Sequence, residues 1–438
     1  MSLQPADFAR SDDPVLDRLL RAAGAQQVKG VDLKLDRIER LLKRMASPHL
    51  KLPPVFHVAG TNGKGSTTAF LRAALEASGH RVHSFTSPHL VRVNERIRLA
   101  GTLVSDEEFS EALAEVLRFN AGQPISFFEV LTSAAFLLFA ATPADATILE
   151  VGLGGRLDST NVVPKPVATG IASLALDHVA ILGPTLRHIA GEKAGIAKKG
   201  VPLVTQKYPK AIASAVAEVA VPRGAKLMLR GEAWDAGVYE GQLLFKRVTD
   251  EEALKLPLPK LPGAHQADNA ALAIAMLRAQ QDLSVPDSAL RSAMGWAQWP
   301  ARLQRLPAGP LPAALPPGSE LLVDGGHNPS AGKALAAFYA AEGAPLHIVM
   351  GMLPTKDHAG FIRAFPRGTR MTMVPIPGHS HEPPERLAAL AIASGMKADR
   401  ADGLEEALAL VEGVSRVLIG GSLHLAGEAL RRNGSFPQ

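Results

Sequence analysis

The sequence predicts an α/β protein of two domains, a larger one built on a mainly parallel sheet and a smaller one following it. Three observations predict this. A glycine-interrupted loop joins an apolar, strand-like run to a helix-forming run across residues 54–78. Strand-like and helical stretches then alternate through most of the 438 residues, the pattern of a sheet covered on both faces. After "GWAQWPARLQRL" the alternation restarts, which places the boundary near Trp299 and gives domains at 1–298 and 299–438.

Taken in order, Pro54 to Ala59 has the length and content of a buried strand, and Ser66 to Ser78 carries Ala69, Phe70, Ala73, Ala74 and Ala77 on one helical face, stopped by Gly79. "RVHSF" ends near Phe85, and "ATILEV" (146–151), "VATGIASL" (167–174) and "VPLVTQ" (201–206) read as further strands. "FFEVLTSAAFLLFA" (127–140) and "LRHIAGEKAGIAKK" (186–199) read as helices, and a proline-rich connector leads into another near Gln266. In the second domain, strands are expected at 320–326, 346–352, 371–377 and 416–421, with helices from Ser330 and over 422–432. "PAGPLPAALPPGSE" (307–320) reads as a proline-rich surface loop. No internal repeat is evident.

The loop "HVAGTNGKGSTTAFL" (57–71) carries the first chemistry. Gly60, Gly63 and Gly65 let the backbone bend and approach a ligand, so that amides and the positive end of the following helix converge on a site for an anion. Lys64 adds a full charge. The stretch is shorter than G-x-x-x-x-G-K-[ST] and puts Gly65 between the lysine and Ser66-Thr67, so it is a variant of a phosphate loop, recognised by its strand-turn-helix setting. A plain glycine turn with a solvated lysine is the alternative.

In an open parallel sheet ligands bind beyond the carboxyl ends of the strands. Glu150 closes one strand ahead of the glycine-rich "VGLGGRLDSTN", Asp177-His178 follows the next, and Ser87 stands beyond "RVHSF". A carboxylate, a hydroxyl and an imidazole beside phosphates make a magnesium shell, although imidazole is unusual for that ion. Each has a structural alternative: Glu150 paired with Arg156, His178 simply hydrogen-bonded. Lys193 in "GEKAGIAKKG" would repel a cation unless carbon dioxide added to its amine made it a carboxylate. From the residues alone it reads as an exposed helix lysine paired with Glu192.

Composition bounds the rest. With 47% hydrophobic and 20% charged residues the chain is globular, and it has no cysteine for disulfides, thiolate metal sites or thiol nucleophiles. No run approaches the roughly 20 apolar residues of a membrane span. "MSLQPADFARSDDP" lacks signal character, so a cytoplasmic protein is expected. The net charge of +5 is spread along the chain without a basic run or interleaved aromatics, which suits phosphorylated or carboxylate substrates and excludes nucleic acid as a partner.

Over nearly its whole length the chain resembles the folylpolyglutamate synthase and dihydrofolate synthase family of the Mur ligase group. The matching stretches are "VDLKLDRIERLL", "HVAGTNGKGST", "TSPHLVRVNERI", "FFEVLTSAAFLLFA", "LEVGLGGRLDSTNVV", "LDHVAILGPTLRHIAGEKAGIAK", "PGAHQADNAALA", "WPARLQRL", "LLVDGGHNP", "GMLPTKD" and "GSLHLAGEAL", in the family's order. Departures are the third residue of "DGGHNP", where alanine is expected, the Pro-Thr of "GMLPTKD", and the long proline loop before Leu321. The resemblance implies a P-loop-containing central domain of the Mur ligase kind, then a Rossmann-like C-terminal domain. It implies that Thr61, Asn62, Gly63, Lys64, Gly65 and Ser66 embrace the phosphates of ATP. Ser87 and Glu150 would ligate one magnesium ion, and Glu150, His178 and Lys193 as its carbamate a second. Asn269, Arg302, Asp324 and His327 are similar to the family's nucleotide contacts, with Lys64, Lys193, Arg302 and His327 the catalytic set. Phe127, Phe128, Glu129, Gly155 and Arg156 would lie by the pterin and benzoate end of the substrate.

The implied activity is ATP-dependent addition of L-glutamate to dihydropteroate, to the glutamate tail of reduced folates, or to both, through an acyl phosphate. The partners are those small molecules, with no nucleic acid or membrane, and the chain is expected to act as a monomer. Two other readings compete: a Mur-type ligase acting on a cell-wall precursor, against which "LDRI" and "FFEVLT" argue, and a nucleotide-gated switch, against which the lack of an N-K-x-D element argues.

Overall fold

The computed structural model describes residues 9–28, 30, 32–341 and 345–437. The opening segment through residue 8, and Val31 at the head of the first matching stretch, lie outside the described residues. Two compact units divide the chain: Met1–Lys260 with Gln266–Gln298, and Leu261–His265 with Trp299–Gln438.

The first unit's main sheet holds eight strands: β1 (Val55–Ala59), β2 (Val82–Phe85), β3 (Ile97–Leu99), β4 (Thr102–Leu103), β5 (Ala146–Glu150), β6 (Ala168–Ile171), β7 (Pro202–Thr205) and β8 (Lys226–Leu229). Their order is β4-β3-β2-β5-β1-β6-β7-β8, parallel from β2 to β8 and antiparallel at the β2-β3-β4 edge. β1, β2, β5 and β6 are buried at every residue, as central parallel strands with apolar runs must be. One face packs Phe85, Phe136, Phe139 and Leu149 with helices Pro14–Ala25, Asp36–Arg44, Asp106–Asn120 and Phe127–Ala141. A separate core of Ala59, Val151, Ile171, Ala190, Leu203 and Val216 seats Leu186–Ala194 and Lys210–Ala220. Helix Lys64–Ala77, which follows the loop, is buried along most of its length, and helix His265–Ala279 is buried nearly all round. The latter rides directly on β6, where a Cβ on Gly170 would stand 2.3 Å from the Met276 sulfur.

A three-stranded antiparallel sheet, β9 (Trp234–Tyr239), β10 (Gln242–Arg247) and β11 (Leu254–Pro257), extends this unit. The sequence reading passed over it. Its β9-β10 turn is Glu240-Gly241, both at positive φ (47° and 72°), the two-residue geometry whose twist suits a hairpin.

The second unit has strands β12 (Gln304–Arg305), β13 (Glu320–Val323), β14 (Leu346–Met350), β15 (Arg370–Met373), β16 (Lys397–Arg400) and β17 (Arg416–Gly420), in the order β12-β13-β17-β14-β15-β16. All but β12 run parallel, around a core that includes Leu322, Ile348, Met350, Phe361, Met371 and Leu418. The architecture is the α/β arrangement expected, a large mainly parallel sheet and a second, smaller α/β unit.

Two element expectations need correcting. The helix over 186–199 ends at Ala194: from Gly195 to Ala197 the amides bond to the carbonyl three residues back instead of four, and Gly195 packs so close to Arg156 that a Cβ there would be 2.3 Å from the arginine Cβ. The 307–320 stretch is no simple surface loop: it contains the short helix Pro310–Ala313 and buries Leu311 completely, with the Asn433 side chain donating to Pro307 O at 3.2 Å. Among the described residues no helix is long and apolar enough to cross a membrane.

Candidate active site

The adjacent strands β2, β5, β1 and β6 deliver the candidate residues at their carboxyl ends. β1 and β5 are in register as Val58 opposite Glu150, so the loop after β1 and the Glu150 carboxylate emerge side by side. Lys64 Nζ lies 4.0 Å from Glu150 Oε1 and donates to Thr61 O at 3.4 Å. Beyond β6, Ser173 O accepts from the amides of Thr61 (2.8 Å) and Asn62 (3.2 Å), and Ala175 O accepts from the Thr61 hydroxyl at 3.0 Å. These three bonds pin the loop to its neighbour.

Two of its glycines are required by space and conformation together. Gly60 has φ +154°, and a Cβ there would meet the Ala172 Cβ at 2.8 Å. Gly63 has φ +84°, and a Cβ would meet Asn269 Oδ1 at 2.3 Å. As N-cap of Lys64–Ala77, Gly63 offers no capping side chain, so the first-turn amides point to an incoming acceptor.

Glu150 is buried, at 3% exposure. Lys193 is buried as well, at 5%, which corrects the reading of an exposed lysine paired with Glu192. Glu192 instead binds Arg156 at 2.8 Å. The cause lies in "GLGGRLD": a Cβ on Gly155 would be 2.8 Å from Glu192 O and 3.1 Å from Lys193 Cα, so the turn seals the helix face that carries the amine. Burial, then the charge of Lys64, push the Lys193 amine down to about 7 from its ordinary 10.5. His178 takes a left-handed backbone (φ 50°), with its ring Nε2 3.9 Å from Asp177 Oδ1. Ser87 precedes a cis proline, Pro88, just past β2.

Among the described residues no three His, Cys, Asp or Glu side chains gather as a metal cluster. The candidate set contains two such residues, Glu150 and His178, with the Ser87 hydroxyl. As a donor set it suits a hard cation that keeps waters and phosphate oxygens, once the Lys193 amine carries no proton.

The residues assigned to the pterin end are variously engaged. Phe127 is buried, and Glu129 caps its own helix by accepting the Ser126 amide at 2.6 Å while the Arg37 Nε donates to it at 3.2 Å. Phe128 stands over the glycine-rich turn, where a Cβ on Gly152 would be 2.5 Å from its ring, and its ring centroid is 5.6 Å from that of Phe85. Sequence reasoning missed Asp158, whose carboxylate accepts from the amides of Gly152 (3.0 Å), Leu153 (2.9 Å) and Thr160 (3.0 Å) and so folds that turn. The signal was present, since Asp before Ser-Thr is a capping sequence.

In the second unit Arg302, Asp324 and His327 meet at the carboxyl end of β13. Asp324 accepts from Leu303 N (2.9 Å) and Gly326 N (2.7 Å), the His327 Nδ1 lies 2.9 Å from Gly325 O, and Arg302 Nη1 donates to Ala301 O at 2.7 Å. Ala301 and Leu303, on either side of Arg302, both take positive φ (52° and 44°), a conformation that aims the arginine at a cost in strain.

A glycine loop at a helix start, beside a buried carboxylate and a buried amine, fits an ATP-dependent, amide-bond-forming ligase of the Mur ligase group. No family model matches the chain. The comparisons with individual proteins are specific. The dihydrofolate synthase/folylpolyglutamate synthase of Bacillus subtilis (strain 168) is 40% identical over 321 residues, 68% of this chain and 70% of that one. E. coli FolC, solved in complex with DHPP and ADP, superposes with TM-score 0.84 at 31% identity over 96% of this chain and 98% of its own. A bifunctional folylpolyglutamate synthase/dihydrofolate synthase with Mn, AMPPNP and L-glutamate bound superposes with TM-score 0.82 at 30% identity, covering 97% and 99%. The chain belongs to the dihydrofolate synthase/folylpolyglutamate synthase family.

Proposed function

We propose that this chain joins L-glutamate both to dihydropteroate and to the glutamate tail of reduced folates, at the expense of ATP. The observation that carries the reading is the pairing of Lys64 Nζ with Glu150 Oε1 at 4.0 Å, at the ends of two adjacent strands, above a helix start whose amides await an anion. Its relative in Bacillus subtilis is named for both activities, which favours two over tail extension alone.

The chemistry follows from what a carboxylate lacks. Oxide is a poor leaving group, so the acceptor's carboxylate oxygen attacks the γ-phosphorus of ATP, the bond to the bridging oxygen breaks, and ADP leaves behind an acyl phosphate. The loop from Thr61 to Ser66 holds the phosphates, and Lys64 offsets charge on the oxygens in transit. The glutamate amine then attacks the acyl carbon, gives up a proton, and phosphate departs as the amide forms. Ser87, Glu150, His178 and a carbamylated Lys193 would hold up to two magnesium ions, which when bound neutralise phosphate charge. The carbamate is supported by burial: an amine titrating near 7 is partly unprotonated at neutral pH, so its lone pair adds to carbon dioxide and a proton is released. In the second unit Arg302, Asp324 and His327 are the proposed nucleotide contacts, supported by their convergence where a parallel sheet binds ligands. Phe128 is the best-supported pterin contact, because its ring already covers the glycine-rich turn. The reaction belongs in the cytoplasm, with the chain acting as a monomer.

Incorporation of labelled glutamate, with ATP and with either dihydropteroate or tetrahydrofolate, tests the reading. Incorporation into both is expected. ATP hydrolysis that needs neither acceptor nor glutamate would refute it.

A further inference from the structure

Strand β6 changes phase where it ends. In a regular parallel strand the N–H and C=O of one residue face the same neighbour, and those of the next residue face the other. Ile171 obeys this rule, its carbonyl accepting from Gln206 N at 3.3 Å on the β7 side. Ala172 does not. Its amide donates to Ala59 O at 2.8 Å on the β1 side, while its carbonyl turns back and accepts from the Tyr208 hydroxyl at 2.6 Å. The Ser173 carbonyl, which a regular strand would send toward β7, therefore faces β1 and takes the amides of Thr61 and Asn62. A slip of one residue decides which carbonyl meets the Lys64 loop, much as a bulge beside an active site re-aims a group.

Tyr208 is placed to hold that slip. It stands three residues beyond the end of β7 and directly before Pro209, the N-cap of Lys210–Ala220, and its ring packs on the core of Ala59, Ile171 and Leu203. Its single proton is shared between Ala172 O and Ile171 O, the latter at 2.7 Å. Two successive carbonyls reach one hydroxyl only where the chain has turned over. Ile171 and Ala172 are fully buried, so a carbonyl deprived of this donor is costly. Burial raises the phenol above its ordinary range, so the hydroxyl keeps its proton and stays a donor.

We propose that Tyr208 is a positioning residue for the Lys64 loop: its hydroxyl holds the turned-over Ala172 carbonyl and so aims Ser173 O at the amides of Thr61 and Asn62. It acts through β6, on the loop. The consequence for the nucleotide rests on the reading of that loop as the ATP phosphate site. Without the hydroxyl, the Ala172 carbonyl gains by swinging back into phase, where it would take the Thr61 amide and leave the Asn62 amide without its acceptor.

Tyr208→Phe keeps the ring and removes the hydroxyl. Hydrogen exchange followed by mass spectrometry over 60–63 should show protection in the parent and exchange about tenfold faster in the variant. AMPPNP should bind the variant about tenfold more weakly and the KM for ATP should rise alike, whereas adenosine, which has no phosphate to place, should bind both proteins equally. A tyrosine that served packing alone would lower the thermal midpoint and leave that split unmoved. A folded Tyr208→Phe protein whose 60–63 segment stays as protected as the parent's overturns the proposal. Should the variant not fold, p-aminophenylalanine in place of Tyr208, which keeps an N–H donor on the ring, decides: protection like the parent's supports the proposal, and loss of protection overturns it. Faster exchange in Tyr208→Phe with unaltered AMPPNP binding would support the hold on the loop and refute the phosphate reading.

Discussion

At the scale of single residues, the site divides into what its chemistry announced and what only packing could reveal. The strand-turn-helix around Lys64 was legible, because glycines between an apolar run and a helix-forming run mark such a turn. Replacing Lys64 with alanine removes the charge proposed to lie over the phosphates and little packing, so glutamate incorporation should fall by roughly 10²–10³ while the thermal midpoint is unchanged. Unaltered turnover would show that the phosphates bind elsewhere. Lys193 was not legible: its burial depends on Gly155 of another segment pressing against its backbone, and no local pattern encodes that contact. With its amine near 7, the protein held in bicarbonate should carry the added mass of one carbon dioxide, increasingly as the pH rises through that value. The Lys193→Arg protein should lack the added mass and ligate poorly. An unmodified Lys193 in active protein would exclude the carbamate.

At the scale of elements, helix Phe127–Ala141 shows how one side chain can serve two masters. "SFFE" was legible as a helix start, and Glu129 does form a capping box with Ser126. Its other partner, Arg37, lies 92 residues away in sequence and was not legible. Arg37 also holds Asp32, donating to its carboxylate at 2.9 Å and its carbonyl at 2.6 Å, so one guanidinium joins the segment before Asp36–Arg44 to the helix bearing Phe128. Side-chain exposures of 11% for Arg37 and 5% for Glu129 make this a largely desolvated pair. Arg37→Ala would strand a buried carboxylate, and a loss of about 3 kcal/mol is expected in urea denaturation. A change under about 0.5 kcal/mol would mean that Glu129 needs no partner. The strands were the easier part, because fully buried parallel strands read as unbroken apolar runs. The β9-β10-β11 sheet escaped notice because its Glu240-Gly241 turn carries none of the usual asparagine or aspartate, and its exposed face is of mixed polarity.

At the scale of the whole molecule, the central sheet fixes how stability responds to acid. His57 stands in the middle of β1, at 1% exposure, with its Nε2 2.8 Å from the Thr160 hydroxyl. Burial first, and then the charge of Lys198, push its imidazole down to about 3 from the ordinary 6.5. Between those two values the unfolded chain binds a proton that the folded chain refuses. Stability therefore rises with pH across that window and falls on acidification, with a contribution from this residue of about 1.4 kcal/mol per pH unit. His83 on β2 and His347 on β14 are shifted the same way by burial, so they add to the effect. Glu95 and Asp158 oppose it, since burial raises their carboxyl groups and the folded form then holds protons the unfolded one has lost. The difference between parent and variant isolates the histidine: His57→Gln keeps a polar group near Thr160 and has no proton to gain. Urea titrations at intervals from pH 6.5 to pH 4 should give a steeper decline for the parent than for His57→Gln. Parallel declines would mean that His57 is protonated in the folded sheet, and that the strand leading into the Lys64 loop tolerates a buried charge.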